Sequence, residues 1–136
     1  MTTKRPRPLY VLDTHTLFWL WTKPSELSPA AIAVLEELRS GQAFGLVPTV
    51  VVGELFYLSI KLGKPQTVKN ILLALDSAPS LRLESITREH LIAFDELEGV
   101  RDMHDRLIGA TALLNNAPLI SRDSVLRKQP HIQVIW

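Results

Sequence analysis

Short apolar runs alternate with longer amphipathic segments along the chain. The apolar runs fall at 9–12, 43–47, 81–86, 119–121 and 132–135, and each has the length of a β-strand. Between them, apolar residues recur every three or four positions, which is typical of helices. Strands that alternate with helices favour a parallel sheet covered on both faces. We therefore predict an α/β fold, a three-layer α/β/α sandwich with a central, mostly parallel sheet.

Capping residues predict where several helices begin and end. Ser28 precedes a proline and suits the start of a helix that Gly41 closes. Thr49 is predicted to cap the next helix, which Gly63 stops. Thr87 is predicted to cap a further helix that extends to about position 97.

The segment Leu107–Leu114 is apolar all round and lies between two acids. Asp105 opens this run, and Asp123 follows the apolar run that ends at Ser121. A helix with no polar side has no face to present to water. We expect a buried helix that links the two carboxylates.

Four acids stand where such a fold places its ligand site, outside the carboxyl ends of parallel strands. They are Asp13, Glu54, Asp105 and Asp123. Each aspartate precedes a predicted helix, so capping and ligand binding are both open for it. Glu54 lies in an apolar stripe, where a carboxylate costs several kcal/mol unless it is paired, protonated or bound to metal. Spacing alone does not show that the four converge.

Convergence of these acids would require a cation. Crowded carboxylates repel one another and raise one another's pKa, so a divalent ion is needed to keep them all ionised at neutral pH. Oxygen ligands favour Mg²⁺ or Mn²⁺, and the four histidines show no spacing suited to zinc. The sequence therefore predicts a magnesium or manganese site, provided that the acids meet.

Three stretches resemble the PIN-domain ribonucleases, and among them the VapC-type toxins of toxin–antitoxin pairs. The run 105–123 is similar to the family's C-terminal signature, 11–15 to its opening strand and first acid, and 134–136 to an ending common in this branch. The resemblance thus spans nearly the whole chain. The segment 100–106 departs from the branch's usual His-Arg-Asp-Pro-Phe-Asp-Arg, which leaves substrate choice open.

The resemblance implies a metal-dependent endoribonuclease that leaves 5′-phosphate and 3′-hydroxyl ends. It implies that Asp13 and Asp105 are the main metal ligands, that Glu54 is a ligand or a water-orienting base, and that Asp123 completes the cage. The residues predicted to support the site are Thr14, Ser121 and Arg106. Ser121 either bonds a carboxylate or bound water or satisfies backbone groups, and Arg106 either clamps a phosphate or pairs with an acid. The roles of His15, Asp102 and His104 stay open.

The resemblance also implies partners. They are an RNA substrate, a second copy of the chain in a homodimer, and a cognate antitoxin that covers the cleft. Apolar side chains suit contact with the antitoxin, although the two tryptophans suit the core equally well. The candidates are Phe18, Trp19, Trp21, Phe56 and Tyr57.

Composition narrows the class of protein without naming it. The 136 residues suit one domain, which we place at 9–136 after a flexible basic tail at 1–8. The net charge of +1 means that any RNA contact depends on a local basic rim. The absence of cysteine fits a reducing compartment. The most apolar region, 44–62, is interrupted by Pro48, Gly53 and Glu54 and does not predict a membrane span, so we expect a soluble cytoplasmic protein.

Two other functions compete with a nuclease. One is a non-catalytic module of the same fold that binds RNA or acts as a scaffold. The other is a phosphatase-like or receiver-like phosphate-transfer domain. The phosphatase requires a second acid two residues after Asp13, where this chain has His15, and the receiver requires a lysine after its last strand. The target RNA, the number of metal ions and the identity of the antitoxin stay open.

Overall fold

Five parallel strands form the centre of the fold. A computed structural model describes residues 6–136 of the chain. The strands are β1 (Leu9–Leu12), β2 (Phe44–Pro48), β3 (Leu81–Glu84), β4 (Leu119–Ile120) and β5 (Val134–Ile135). Their order is β3-β2-β1-β4-β5, and every neighbouring pair is parallel. Strand β1 lies in the middle, where Val11 pairs with Leu46 on one side and Leu119 on the other.

Helices flank this sheet and confirm the predicted α/β architecture. They are α1 (Thr14–Thr22), α2 (Pro29–Arg39), α3 (Thr49–Lys61), α4 (Val68–Asp76), α5 (Arg88–Ile92), α6 (Met103–Asn115) and α7 (Ser124–Arg127). Short 3₁₀ turns follow α1 and α5. The predicted helix from Thr87 to position 97 therefore ends as an α-helix at Ile92 and continues as a 3₁₀ turn. Strands β3 and β5 are each two residues shorter than predicted.

The boundaries of α2 agree with the sequence signals, whereas the start of α3 does not. The Ser28 hydroxyl accepts a hydrogen bond from the Ala31 N–H at 3.1 Å and begins α2. Gly41 has a φ of +79° after that helix, a conformation that suits glycine. The prediction for Thr49 was wrong, because Thr49 is itself the first residue of α3 and Pro48 precedes the helix without a side-chain cap.

Helix α6 crosses the interior and carries an acid into the site at its first turn. Residues 107–112 are buried as predicted, whereas Leu114 is 45% exposed and corrects the expectation for the end of the run. A Cβ on Gly109 would lie only 3.2 Å from Leu97, so the glycine permits close packing there. The helix begins at Met103, with Asp102 as its N-cap. Asp105 therefore lies within the first turn. This position excludes the capping role that the sequence left open for it.

The predicted basic tail lies partly outside the described residues. Positions 1–5 fall outside them, and residues 6–8 are exposed. The Pro8 carbonyl accepts a hydrogen bond from the Phe44 N–H at 2.9 Å, and the Arg7 guanidinium lies 5.2 Å from the Phe44 ring. Within residues 6–136, no helix combines the length and the apolar character needed to span a membrane.

Candidate active site

All four acids predicted from the sequence line one cavity of about 440 Å³, and a fifth joins them. Asp13 follows β1 directly, and Asp123 follows β4 by three residues. Glu54 comes from the first half of α3, and Asp105 from the first turn of α6. The fifth acid is Asp102, the N-cap of α6. The cavity thus lies beyond the carboxyl ends of the central strands, where an open α/β sheet places its ligands.

Asp13 is the most buried of these acids, with 9% of its surface exposed. Its Oδ1 accepts a hydrogen bond from the Thr16 N–H at 2.9 Å and caps α1. Burial raises the pKa of Asp13 above its ordinary value, while hydrogen bonds from Ser121 and Thr16 and the nearby His15 act in the opposite direction. One carboxylate therefore both caps a helix and lines the cavity.

Ser121 connects the carboxylates that follow the two strands. It is fully buried, and its hydroxyl accepts a hydrogen bond from the Asp123 N–H at 3.0 Å. The same side chain acts to lower the pKa of the Asp13 carboxyl. Asp123 in turn caps α7, because its Oδ1 accepts from the N–H groups of Val125 and Leu126 at 2.8 and 2.9 Å.

Glu54 has two polar neighbours in its half-buried position. The Thr14 hydroxyl donates to Oε1 at 2.6 Å, and the His104 Nδ1 lies 3.7 Å from Oε2. His104 also lies 3.9 Å from the Asp102 carboxylate, so it bridges two acids at the rim. These neighbours explain how a carboxylate is tolerated within an apolar stripe of α3. His104 carried no motif in the sequence that would have predicted this position.

The pKa of Asp105 reflects its burial beside other carboxylates. Its pKa is raised from 3.8 to about 6, first by burial and then by repulsion from Asp102, Asp123, Glu54 and Asp13. A capping role alone gives no reason to gather so much negative charge. The cavity is therefore suited to attract a cation.

The donors fit a hydrated divalent cation in type and charge. They are carboxylate oxygens, which hard ions such as Mg²⁺ prefer. Among residues 6–136, no three histidine, aspartate or glutamate side chains stand close enough to hold one ion together. Mg²⁺ is commonly held by one or two carboxylates, with water filling its other positions. The arrangement suits that mode of binding and does not form a closed cage.

The two arginines next to the acids occupy different environments. Within residues 6–136, Arg106 does not line the cavity and forms no ion pair with an acid, which corrects the expectation of an ion pair. Its guanidinium donates to the backbone carbonyls of Phe94 at 3.1 Å, Glu98 at 3.2 Å and Val100. Arg122 does line the cavity, yet its guanidinium lies 3.9 Å from Glu26.

Aromatic side chains form the rim beside Asp13. The His15 ring lies 5.3 Å from the ring of Trp19, which also lines the cavity. Trp19 packs against Trp136 at 5.8 Å, and the Arg122 guanidinium stands 5.7 Å from its ring centroid. Trp19 therefore packs against the C-terminal residue and faces the site at the same time.

The fold and the site define an α/β protein with an acidic cavity beyond the ends of its parallel strands. The family model of the PIN domain matches residues 10–132. The chain therefore belongs to the PIN-domain family. No curated protein matches it in sequence.

Solved structures share this fold at low sequence identity. The chain is similar to one in the crystal structure of VapBC2 from Rickettsia felis bound to a DNA fragment from their promoter, with a TM-score of 0.67, 19% identity, and coverage of 93% of this chain and 96% of that one. It is similar to one in a toxin–antitoxin complex from Klebsiella pneumoniae, with a TM-score of 0.65, 20% identity and coverage of 90% and 94%. A chain of FitAcB from Neisseria gonorrhoeae gives a TM-score of 0.63, 19% identity and coverage of 92% and 95%.

Proposed function

We propose that this chain is a divalent-metal-dependent endoribonuclease and the toxin of a toxin–antitoxin pair. It hydrolyses RNA phosphodiester bonds and leaves 5′-phosphate and 3′-hydroxyl ends. Membership of the PIN-domain family supports nuclease chemistry. The similarity to chains from VapBC and FitAcB complexes supports the assignment as a toxin.

The observation that carries the proposal is the charge balance of the cavity. Five carboxylates line it, and among residues 6–136 Arg122 is the one lining residue with a permanent positive charge. That arginine lies beside Glu26 outside the group of acids. The raised pKa of Asp105 shows that the acids repel one another in the absence of a cation. A divalent ion would remove this repulsion.

Asp13 and Asp105 would hold Mg²⁺ or Mn²⁺, with Glu54 and Asp123 beside them. A bound divalent ion supplies a water of lowered pKa and neutralises charge that develops on the phosphate. The Ser121 hydroxyl acts to lower the pKa of Asp13 and accepts a hydrogen bond from the Asp123 N–H. The Thr14 hydroxyl donates to one oxygen of Glu54. Glu54 then orients a water molecule beside Asp13 and Asp105 or holds the ion together with one other carboxylate.

An apolar groove beside the site suits the antitoxin. Its volume is about 420 Å³, and it lies between α1 and the helices α3 and α4. Its apolar lining consists of Phe18, Trp21, Leu55, Leu62 and Ile71. An amphipathic segment of a partner could bury its apolar side chains there. We further propose that the toxin acts in the cytoplasm as a homodimer, which sedimentation of the purified protein tests.

The test is cleavage of total cellular RNA by purified, antitoxin-free protein. We expect discrete fragments that require Mg²⁺ or Mn²⁺ and disappear with a chelator. Asp13→Asn keeps an acceptor for the Thr16 N–H but removes the charge, so it should fold while cleavage falls by about 1,000-fold or more. Circular dichroism of the variant provides the control for folding.

Two results would contradict the proposal. Cleavage that persists in Asp13→Asn or without divalent metal would exclude the acid cavity as the active site. RNA binding without cleavage, together with no effect of metal, would favour the non-catalytic module. Mapping of the fragment ends identifies the target RNA.

A further inference from the structure

Gly53 lies in the middle of α3, where glycine needs an explanation. Glycine within a helix costs about 0.5–1 kcal/mol relative to alanine. Its φ is not positive, unlike those of Gly41 and Gly63. No atom of residues 6–136 lies within 4 Å of where its Cβ would be, so close packing among them does not require glycine either. Neither backbone conformation nor neighbouring atoms account for this residue.

The missing side chain opens a second cavity beside the acids. This cavity has a volume of about 420 Å³, and Glu54, Thr14 and His15 line both it and the acidic cavity. Gly53 and Tyr57 line the second cavity, and no carboxylate other than that of Glu54 lines it within the described residues. The two cavities are therefore adjacent parts of one surface.

Gly53, Tyr57 and Lys61 follow one another at intervals of four residues along α3. Residues four apart share one face of a helix, so the three form a stripe that leads away from Glu54. All three line the second cavity. The Tyr57 side chain is 72% exposed, and its ring meets Phe56 edge-on at 5.3 Å. An exposed aromatic ring on a helix that already buries other apolar residues is available to a ligand.

We propose that this stripe is a subsite for an unpaired nucleotide of the RNA next to the scissile phosphate. The base stacks on Tyr57, Lys61 neutralises a phosphate further along the strand, and Gly53 leaves room for the strand to approach the helix. The proposal rests on the proposed ribonuclease function, because it states where the RNA strand lies on one side of the acids. It makes single-stranded RNA the preferred substrate.

The chemistry of the stripe favours a nucleic acid over an antitoxin segment. Aromatic rings bind unpaired bases of any sequence, and lysine neutralises phosphates. A paired base is already stacked within its helix and is not free to stack on Tyr57. The apolar groove described above lies on a different face of α3, through Leu55 and Ser59, and suits an apolar peptide better.

Binding of a labelled, unstructured oligoribonucleotide tests the subsite independently of cleavage. The measurement uses full-length protein in the presence of a chelator, with an RNA duplex of the same length for comparison. Tyr57→Ala should weaken binding of the single strand by about tenfold, a loss of about 1.4 kcal/mol that lies within the range for base stacking. Tyr57→Phe keeps the ring and should bind within about twofold of the wild type. Binding of the duplex should not change.

Two further variants test the other members of the stripe. Lys61→Gln should reduce the salt dependence of single-strand binding by about 0.7 in the slope of log K against log salt, the value for one phosphate contact. Lys64→Gln makes the same charge change beside the apolar groove and should leave the slope unchanged. Gly53→Leu should weaken RNA binding by filling the cavity, whereas the smaller Gly53→Ala should weaken it less, and both should raise the melting temperature.

The outcomes separate this proposal from the ribonuclease function. Wild-type binding of the single strand by Tyr57→Ala would overturn the subsite even if the protein cleaves RNA. Equal losses for single strand and duplex would also overturn it, because stacking requires an unpaired base. Unchanged RNA binding with weaker capture of the antitoxin would assign the stripe to the partner. Binding that depends on Tyr57 in a protein without nuclease activity would support the subsite and reject the nuclease.

Discussion

Two glutamates show how differently this fold treats a carboxylate. Glu84, at the end of β3, accepts hydrogen bonds from the Asn115 side chain at 2.9 and 3.1 Å, and the His90 Nε2 lies 3.4 Å from it. The His90 Nδ1 accepts the Thr87 N–H at 3.0 Å, so the proton of a neutral ring lies on Nε2 and faces Glu84. Glu54 has Thr14 and His104 beside it but stands among four other carboxylates.

The difference separates a structural acid from one placed for function. The contacts of Glu84 with Asn115 and His90 connect β3, α6 and α5. Burial first, and then repulsion from the acids around Glu54, raise the pKa of Asp105, and both are unfavourable for folding when Asp105 is ionised. Such an arrangement is explained by a ligand that the acids bind. Substitutions in the two regions should therefore have opposite consequences.

Of the substitutions at the two glutamates, Glu54→Ala should have the larger effect, and that effect should be a loss of activity. We expect RNA cleavage to fall by about 100-fold or more, because the cavity loses a metal ligand or a water-orienting base. The free energy of unfolding should change by less than about 1 kcal/mol, since alanine favours the helix. Cleavage of an oligoribonucleotide and urea denaturation measure the two quantities. Activity close to that of the wild type would remove Glu54 from the reaction.

Glu84→Ala should show the reverse pattern. It leaves the Thr111 carbonyl as the acceptor for the Asn115 amide and removes the carboxylate that faces the buried His90 Nε2, so the free energy of unfolding should fall by about 1–3 kcal/mol. Cleavage by the folded variant, measured well below its melting temperature, should stay within about twofold of the wild type. A large loss of activity with unchanged stability would show that the two regions are not distinct.

Asp105→Asn should have a smaller effect on the free energy of unfolding, and this effect should depend on pH. The pKa of Asp105 is about 6 in the folded protein against an ordinary 3.8, so the folded chain binds more protons between these values. The stability of the metal-free wild type therefore falls as the pH rises through this window and stays lower above it. The variant removes the charge and should be more stable than the wild type by about 1 kcal/mol near pH 7, after allowance for solvent screening, and by almost nothing near pH 4.

Urea denaturation at several pH values in chelator measures this difference. Asp95→Asn is the matched control, because Asp95 is exposed and does not line the cavity. Its stability should follow the wild type at every pH. An Asp105→Asn curve parallel to the wild type would show that the acids do not repel one another.

The sequence predicted the fold well because the periodicity of apolar residues is a local property. It was less reliable at helix starts. Asp102 and Asp105 are three residues apart, and an acid suits both the N-cap and the first turn, so the start of the helix was predicted at Asp105 and not at Asp102. Thr49 was likewise assigned as a cap although Pro48 precedes the helix.

The site was harder to predict because it depends on contacts between distant segments. That Asp13 and Asp105 line one cavity could not be read from their spacing, and the expectation came from the family resemblance. The role of Arg106 was missed because its guanidinium holds the carbonyls of residues 94–100, whose path the sequence does not give. Gly53 was treated only as an interruption of an apolar stretch, since the open space beside it appears only in three dimensions.

Calorimetric titration of Mn²⁺ into the purified protein tests the central claim most directly. The acidic cavity should bind the ion saturably in the wild type and in Asp95→Asn, and at least about tenfold more weakly in Asp105→Asn. Equal affinity in all three proteins, or no saturable binding in the wild type, would contradict the assignment of these carboxylates as a metal site.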